Sequence, residues 1–184
     1  GRLEIGPTAR RIVLRRCRFE DQESLFQRPE DVLLENCLLR GAFLVGGKHL
    51  SFRHCTFLNP KVGPEAALRL TEDGQAIEVA DSIIFGERHA VLFSGESGAR
   101  ERNFSHCLWH GETGLAAVQY SDAGAIKSGS TMAKARLRRF CRTKNNLHQP
   151  PQFVNAVAGD WRLVPGVPGT GKASDGKDMG VLWE

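Results

Sequence analysis

An eight-residue pattern recurs along the chain, and no other feature restricts its fold as much. The copies are Ile12-Val-Leu-Arg-Arg-Cys17-Arg-Phe19, Val32-Leu-Leu-Glu-Asn-Cys37-Leu-Leu39, Leu50-Ser-Phe-Arg-His-Cys55-Thr-Phe57 and Ile77-Glu-Val-Ala-Asp-Ser82-Ile-Ile84. A fifth, Arg102-Asn-Phe-Ser-His-Cys107-Leu-Trp109, keeps the second half. The copies begin 20, 18, 27 and 25 residues apart. Each is followed by a second short apolar stretch, such as Ala42-Phe-Leu-Val45 or His89-Ala-Val-Leu-Phe93. Runs this short with partial two-residue alternation read as strands.

A unit of two or three short strands cannot bury its apolar side alone, and stacking on the next unit does it. Stacked coils sit about 4.8 Å apart, so equivalent residues form ladders along the axis. Cys17, Cys37, Cys55, Ser82 and Cys107 are expected to form one such ladder inside the tube. The two longer intervals require loops, for which Asn59–Pro64 and Thr71–Gln75 are the candidates. The expected fold is all-β: a right-handed parallel β-helix, a solenoid in one domain over 1–184. Its coils would occupy about 3–121, a helix 131–142, and a finishing segment 150–184.

On these residues the chain resembles the right-handed parallel β-helix proteins of the pectate-lyase-like superfamily. The C-terminal run Pro151-Gln-Phe-Val-Asn155, Gly159-Asp-Trp-Arg-Leu163 and Ser174-Asp-Gly-Lys-Asp-Met-Gly180 is similar to the end of many bacterial β-helix domains. Pro150 stands where those segments usually have Asp, and Gly166-Val-Pro168 replaces Ser-Pro. The resemblance implies a bacterial origin and favours an extracytoplasmic address. It says little of activity, because this fold hosts lyases, hydrolases, adhesins and spacers. Leu3-Glu4-Ile5 reads as the end of a strand from an earlier coil, turned by Gly6-Pro7. A bare first coil exposes a strand edge. It is expected to be covered by earlier coils of a larger protein or by self-association with a second subunit.

Charge narrows the partners. The net charge is +4, but Lys127, Lys134, Arg136, Arg138, Arg139, Arg142 and Lys144 fall in a span without Asp or Glu. Removing these seven leaves −3, so a nucleic-acid ligand is not expected. No apolar run reaches the roughly 18 residues of a membrane helix. Within the basic span, Ala133, Leu137, Phe140 and Cys141 make one helical stripe, expected to lie against the tube. Lys134, Arg138, Arg139 and Arg142 would then face outward as a candidate surface for an anionic polymer.

The column before the cysteines holds Arg16, Asn36, His54, Asp81 and His106. In register, His54, Asp81 and His106 would stack on consecutive coils, a candidate acid–base cluster. A solvated turn with helpful hydrogen bonds is the competing reading. The five cysteines lack zinc-ligand spacing and read as a reduced core ladder. No metal site or cofactor is expected. Gly166–Ala173 fails as a phosphate loop because Ala173 replaces the required Ser or Thr. The expected function is a non-catalytic structural or interaction module for a polysaccharide or a partner protein. The alternative is a carbohydrate-active enzyme, a lyase or hydrolase, with its groove across the middle coils.

Overall fold

The computed structural model describes residues 3–20, 24–41, 43–59, 66–71, 74–94, 101–112, 114–122, 125–127 and 137–183. After β1 (Glu4–Ile5) the chain winds through successive three-strand coils. These are β2 (Arg10–Arg15), β3 (Arg18–Phe19), β4 (Ser24–Phe26); then β5 (Glu30–Glu35), β6 (Leu38–Arg40), β7 (Phe43–Val45). The next are β8 (Lys48–Arg53), β9 (Thr56–Asn59), β10 (Ala66–Leu70) and β11 (Gln75–Ala80), β12 (Ile83–Gly86), β13 (His89–Ser94). The last is β14 (Arg102–Ser105), β15 (Leu108–Gly111), β16 (Gly114–Asp122). From β2 to β14 the path closes four turns of a parallel β-solenoid.

Equivalent strands pair in parallel and make three sheets. Sheet one runs β1-β4-β7-β10-β13-β16, with β17 (Ala125–Lys127) added antiparallel. Sheet two runs β2-β5-β8-β11-β14 and ends on β18 (Arg142–Lys144). Sheet three runs β3-β6-β9-β12-β15. The register is that of the sequence repeat: Ile12↔Val32↔Leu50↔Ile77 and Leu14↔Leu34↔Phe52↔Val79↔Phe104 on sheet two. On sheet three it is Phe19↔Leu39↔Phe57↔Ile84↔Trp109. Alternation puts these columns inside, where Leu34, Phe52, Phe57 and Trp109 are fully buried. Burying one such side chain contributes about 1.5–3 kcal/mol, so the ladders carry most of the driving force. Phe26, Phe43, Phe52 and Phe57 fill the middle coils, with centroids 5.0–6.0 Å apart.

The cysteine ladder is internal. Cys37, Cys55 and Cys107 are buried and Cys17, on the first coil, is half-buried; all five cysteines are free thiols. Ser82 fits the same column because its hydroxyl donates to Ala80 O (2.6 Å) and accepts from Cys55 N (3.1 Å).

The helix expected over 131–142 needs correction. Residues 131–136 lie outside the described residues. Leu137 to Phe140 make a single turn, closed by Cys141 N donating to Leu137 O at 3.1 Å, and Arg142 already belongs to β18. The exposed edge of β14 explains this: its backbone groups need partners, and β18 supplies them as Asn103↔Arg142, Phe104↔Thr143 and Ser105↔Lys144. The apolar stripe does reach the tube. Leu137, Phe140 and Cys141 are buried in the main core, with Phe140 5.5 Å from Phe93. The inner column of Ile77 ends there on a fully buried charge, Arg102, whose guanidinium donates to Thr71 O (2.8 Å) and lies over the Phe93 ring.

Of the proposed loops, Asn59–Pro64 lies outside the described residues from position 60 on, and Thr71–Gln75 at 72–73, where Gly74 N donates to Thr71 O at 3.2 Å across the gap. The chain ends in a segment, 147–183, that carries the hairpin β19 (Phe153–Asn155) and β20 (Asp160–Leu163). It lies across the outer face of sheet three. Leu38, Leu58, Ile83 and Leu108 point outward there, yet each is fully buried, against Trp161, Leu163, Met179 and Val181. No helix among the described residues is long and apolar enough to cross a membrane.

Candidate functional site

The column of polar residues begins as a backbone requirement. Arg16, Asn36, His54, Asp81 and His106 all have φ between 48° and 56°, in the left-handed region. This is the corner where each coil turns from sheet two to sheet three. Asn, Asp and His tolerate that conformation better than most side chains. Asn145 (φ 52°) continues the column. It belongs to a sixth copy of the repeat, Cys141–His148, in which Asn146 Oδ1 accepts from Cys107 N (2.9 Å) and Leu147 bridges to Leu108.

The structure places His54, Asp81 and His106 on consecutive coils, as their spacing predicts. It then commits most of their polar atoms to other parts of the chain. Asp81 is 5% exposed; one carboxylate oxygen accepts from Ser174 N (2.5 Å), the other from Ser174 Oγ (2.7 Å). His54 Nε2 lies 3.3 Å from Asp175 Oδ2. His106 Nε2 lies 2.9 Å from the Asn145 side-chain amide nitrogen. Further down, Asn36 Oδ1 accepts from Leu182 N (2.8 Å), and Asn36 O from the Trp183 indole N–H (2.6 Å). The column is thus the rail on which the C-terminal segment docks. Desolvation pushes the Asp175 carboxyl up, but hydrogen bonds from the Lys177 backbone and side chain, with the nearby His54 and Lys177 charges, outweigh it and hold it below its ordinary value.

Where the rail meets the end of the docked segment, a groove of about 590 Å³ opens. Its walls include Arg15, Arg16, Asn36, His54, Lys177 and Trp183. Arg15 is bonded to Glu35 (2.6 Å), and Lys177 Nζ lies 3.1 Å from Asp175. The exposed Arg16 guanidinium has no partner among the described residues. His54 Nδ1 is buried and likewise has no hydrogen-bond partner among them. The groove combines a free guanidinium, two further cations and an indole held in place by its own N–H bond. Such a set can hold an oxyanion while an apolar ring face lies against the indole.

The other predicted surface is only partly described. Lys134 lies outside the described residues; Arg138, Arg139 and Arg142 are exposed at the C-terminal end of the tube, remote in the fold from the groove on the first coils. The outer face of sheet two is neutralised rung by rung. Arg10–Glu30 (3.4 Å), Arg15–Glu35 (2.6 Å), His49–Asp31 (3.2 Å) and Arg53–Glu78 (3.5 Å) link neighbouring coils. Among the described residues no group of three or more His, Cys, Asp or Glu could hold a metal ion. The turn 169–180 is structural: Asp178 Oδ1 accepts from Gly171 N (2.8 Å) and Gly180 N donates to Asp81 O (2.8 Å).

Sequence reasoning missed the groove because Lys177, Leu182 and Trp183 reach Arg16 and Asn36 only through the docked segment. No family model, curated protein or solved structure matches the chain. What is shown is therefore the fold, a parallel β-solenoid with its C-terminal segment strapped along one corner.

Proposed function

We propose that this chain is a non-catalytic recognition module of the pectate-lyase-like kind, bacterial in origin, whose ligand is a polysaccharide bearing anionic groups. One observation carries the reading: the Arg16 guanidinium, without a partner among the described residues, faces a groove walled by Lys177 and Trp183. A sugar ring offers an apolar face to the indole, and its carboxylate or sulfate offers an acceptor to Arg16. The docking of Asp81 on Ser174 supports the non-catalytic part, since a carboxylate with both oxygens engaged is not poised to move a proton.

The test is calorimetric titration of the whole chain with neutral and with uronate-bearing oligosaccharides. Binding of the acidic set is expected, weakened at least tenfold in Arg16→Ala and in Trp183→Ala, and weakened by salt. Equal binding by both variants, or none by the parent chain, overturns the assignment of the groove.

The enzymatic reading keeps one observation in its favour. His54 Nδ1 is buried, unpartnered among the described residues, and belongs to a groove residue. New reducing ends or unsaturated product in the same mixtures, lost in His54→Gln, would establish catalysis there.

A further inference from the structure

The first coil differs from the others in having a neighbour on one side only. Among the described residues no strand pairs with the outer edge of β2, which ends sheet two. Its inward residues show the consequence. Ile12, Leu14, Cys17 and Phe19 are only partly buried, whereas Val32, Leu34, Cys37 and Leu39, their equivalents one coil on, are at most 2% exposed. On the outside the same edge is basic, with Arg10, Arg11 and Arg15 exposed. An uncovered strand edge is a template for a further strand.

The chain contains the matching pair once already. β8 reads Lys48-His-Leu-Ser-Phe-Arg53 and β2 reads Arg10-Arg-Ile-Val-Leu-Arg15. Both open on two basic residues, carry apolar residues at the third and fifth places, and close on Arg. The strand lying in parallel on β8 is β5, Glu30-Asp-Val-Leu-Leu-Glu35, with Glu30↔Lys48 and Glu35↔Arg53 in register and Asp31 3.2 Å from His49 Nδ1. Its backbone bonds to β8 run from Pro29 O, accepting from Lys48 N (3.0 Å), to Asn36 N, donating to Arg53 O (2.8 Å). The corresponding groups of β2 are Arg10 N and Arg15 O. Each acid of β5 stands between basic residues of two coils: Glu30 between Arg10 and Lys48, Asp31 between Arg11 and His49, Glu35 between Arg15 and Arg53. Among the described residues, Arg10, Arg11 and Arg15 have an acid on one side only.

We propose that the free edge of β2 takes up a parallel strand from another protein, with acids opposite Arg10, Arg11 and Arg15 and apolar residues opposite Ile12 and Leu14. The order acid, acid, apolar, any, apolar, acid is that of β5. Backbone hydrogen bonds hold the strand, and its two apolar side chains cover the half-open core. The register is fixed, because a slip of one residue would turn the acids towards the core. A second copy of this chain is the wrong partner. From the ends of sheet two it offers β2 or β18, and both are basic, with Arg142 and Lys144 on the latter. Like charges opposite each other destabilise a strand pair. The proposal does not rest on the polysaccharide reading, and of that groove's walls it uses only Arg15.

The test titrates the isotope-labelled full chain, at low ionic strength, with an end-blocked peptide of the sequence Pro29–Asn36. Backbone amide resonances of Arg10 to Arg15 are expected to shift, and the Arg10 amide to exchange its hydrogen more slowly. Binding should weaken about tenfold when the chain carries Arg10→Glu with Arg11→Glu. The peptide carrying Leu34→Pro keeps every charge but lacks a backbone donor, and should lose the β2 shifts. So should the peptide carrying Glu30→Lys, Asp31→Lys and Glu35→Lys. Four results would each overturn the proposal: no shift in β2, equal binding of the proline peptide, shifts confined to Asn36, His54 and Trp183 of the groove, or dimers of the chain alone that bury β2. The peptide variants act on the parent chain, so the answer does not depend on whether the doubly substituted chain folds.

Discussion

At single residues, the corner of each coil imposes its own chemistry. A left-handed conformation costs most L-residues about 1–2 kcal/mol, and the turn needs it on every coil. That is why His54, Asp81 and His106 align: the backbone selects residues that tolerate the corner, and their polar tips are then available for docking. A second left-handed column, Arg11, Asp31, His49 and Ala76, stands at the second residue of β2, β5, β8 and β11. Ala76 (φ 51°) has no polar side chain to offset its conformation. Ala76→Gly is therefore expected to raise the unfolding free energy in a denaturant titration by up to about 1 kcal/mol once the added unfolded-state entropy is subtracted. Asp81→Ala leaves Ser174 N and Oγ without their acceptor at a nearly buried site. It should cost about 1–3 kcal/mol. Ser174→Ala should cost less, and a double-mutant cycle should return a coupling well above zero. Additive losses would mean that the two residues act independently.

The decisive element is the docked C-terminal segment. It hides an apolar column on the outside of sheet three that would otherwise face water, so a chain ending at Asn146 is expected to bind a hydrophobic dye and self-associate. Its attachment is also pH-dependent in a definite direction. The Asp175 carboxyl is held below its ordinary value in the folded chain. Its contribution is therefore fully present above the unfolded carboxylate pKa of about 4 and is lost as pH falls through the lower folded value. The stability gap between the parent chain and Asp175→Asn should be open at neutral pH and close in acid. A gap that widens on acidification would contradict the assignment. The sixth repeat copy belongs to this scale too. Its sequence departs from the pattern, because the exposed Thr143 stands where the other copies carry Leu, Phe or Val.

Over the whole molecule, stability is a sum of neighbouring-coil contacts rather than the property of one central cluster. Phe57 touches both the Phe43 and Phe52 rings and is fully buried. Phe57→Ala should cost about 3–5 kcal/mol in a denaturant titration. The rung-to-rung ion pairs on sheet two are exposed, and each contributes under about 1 kcal/mol. Their larger effect is on order: a coil shifted by one rung would lose the Arg15–Glu35 and Arg53–Glu78 pairings.

The sequence by itself determined the repeat, its register, the inward columns and the cysteine ladder. Those depend on contacts between copies of the same short pattern, so periodicity reports them directly. The tertiary structure alone decided where the polar column's hydrogen bonds go, that Arg142–Lys144 pair as a strand on β14, and that a groove forms at Arg16. Asp81 meets Ser174 across 93 residues, and Asn36 meets Trp183 across 147. These pairings follow no period. They arise because an apolar outer face on sheet three had to be covered, and the segment that covers it brings its own polar groups to the corner.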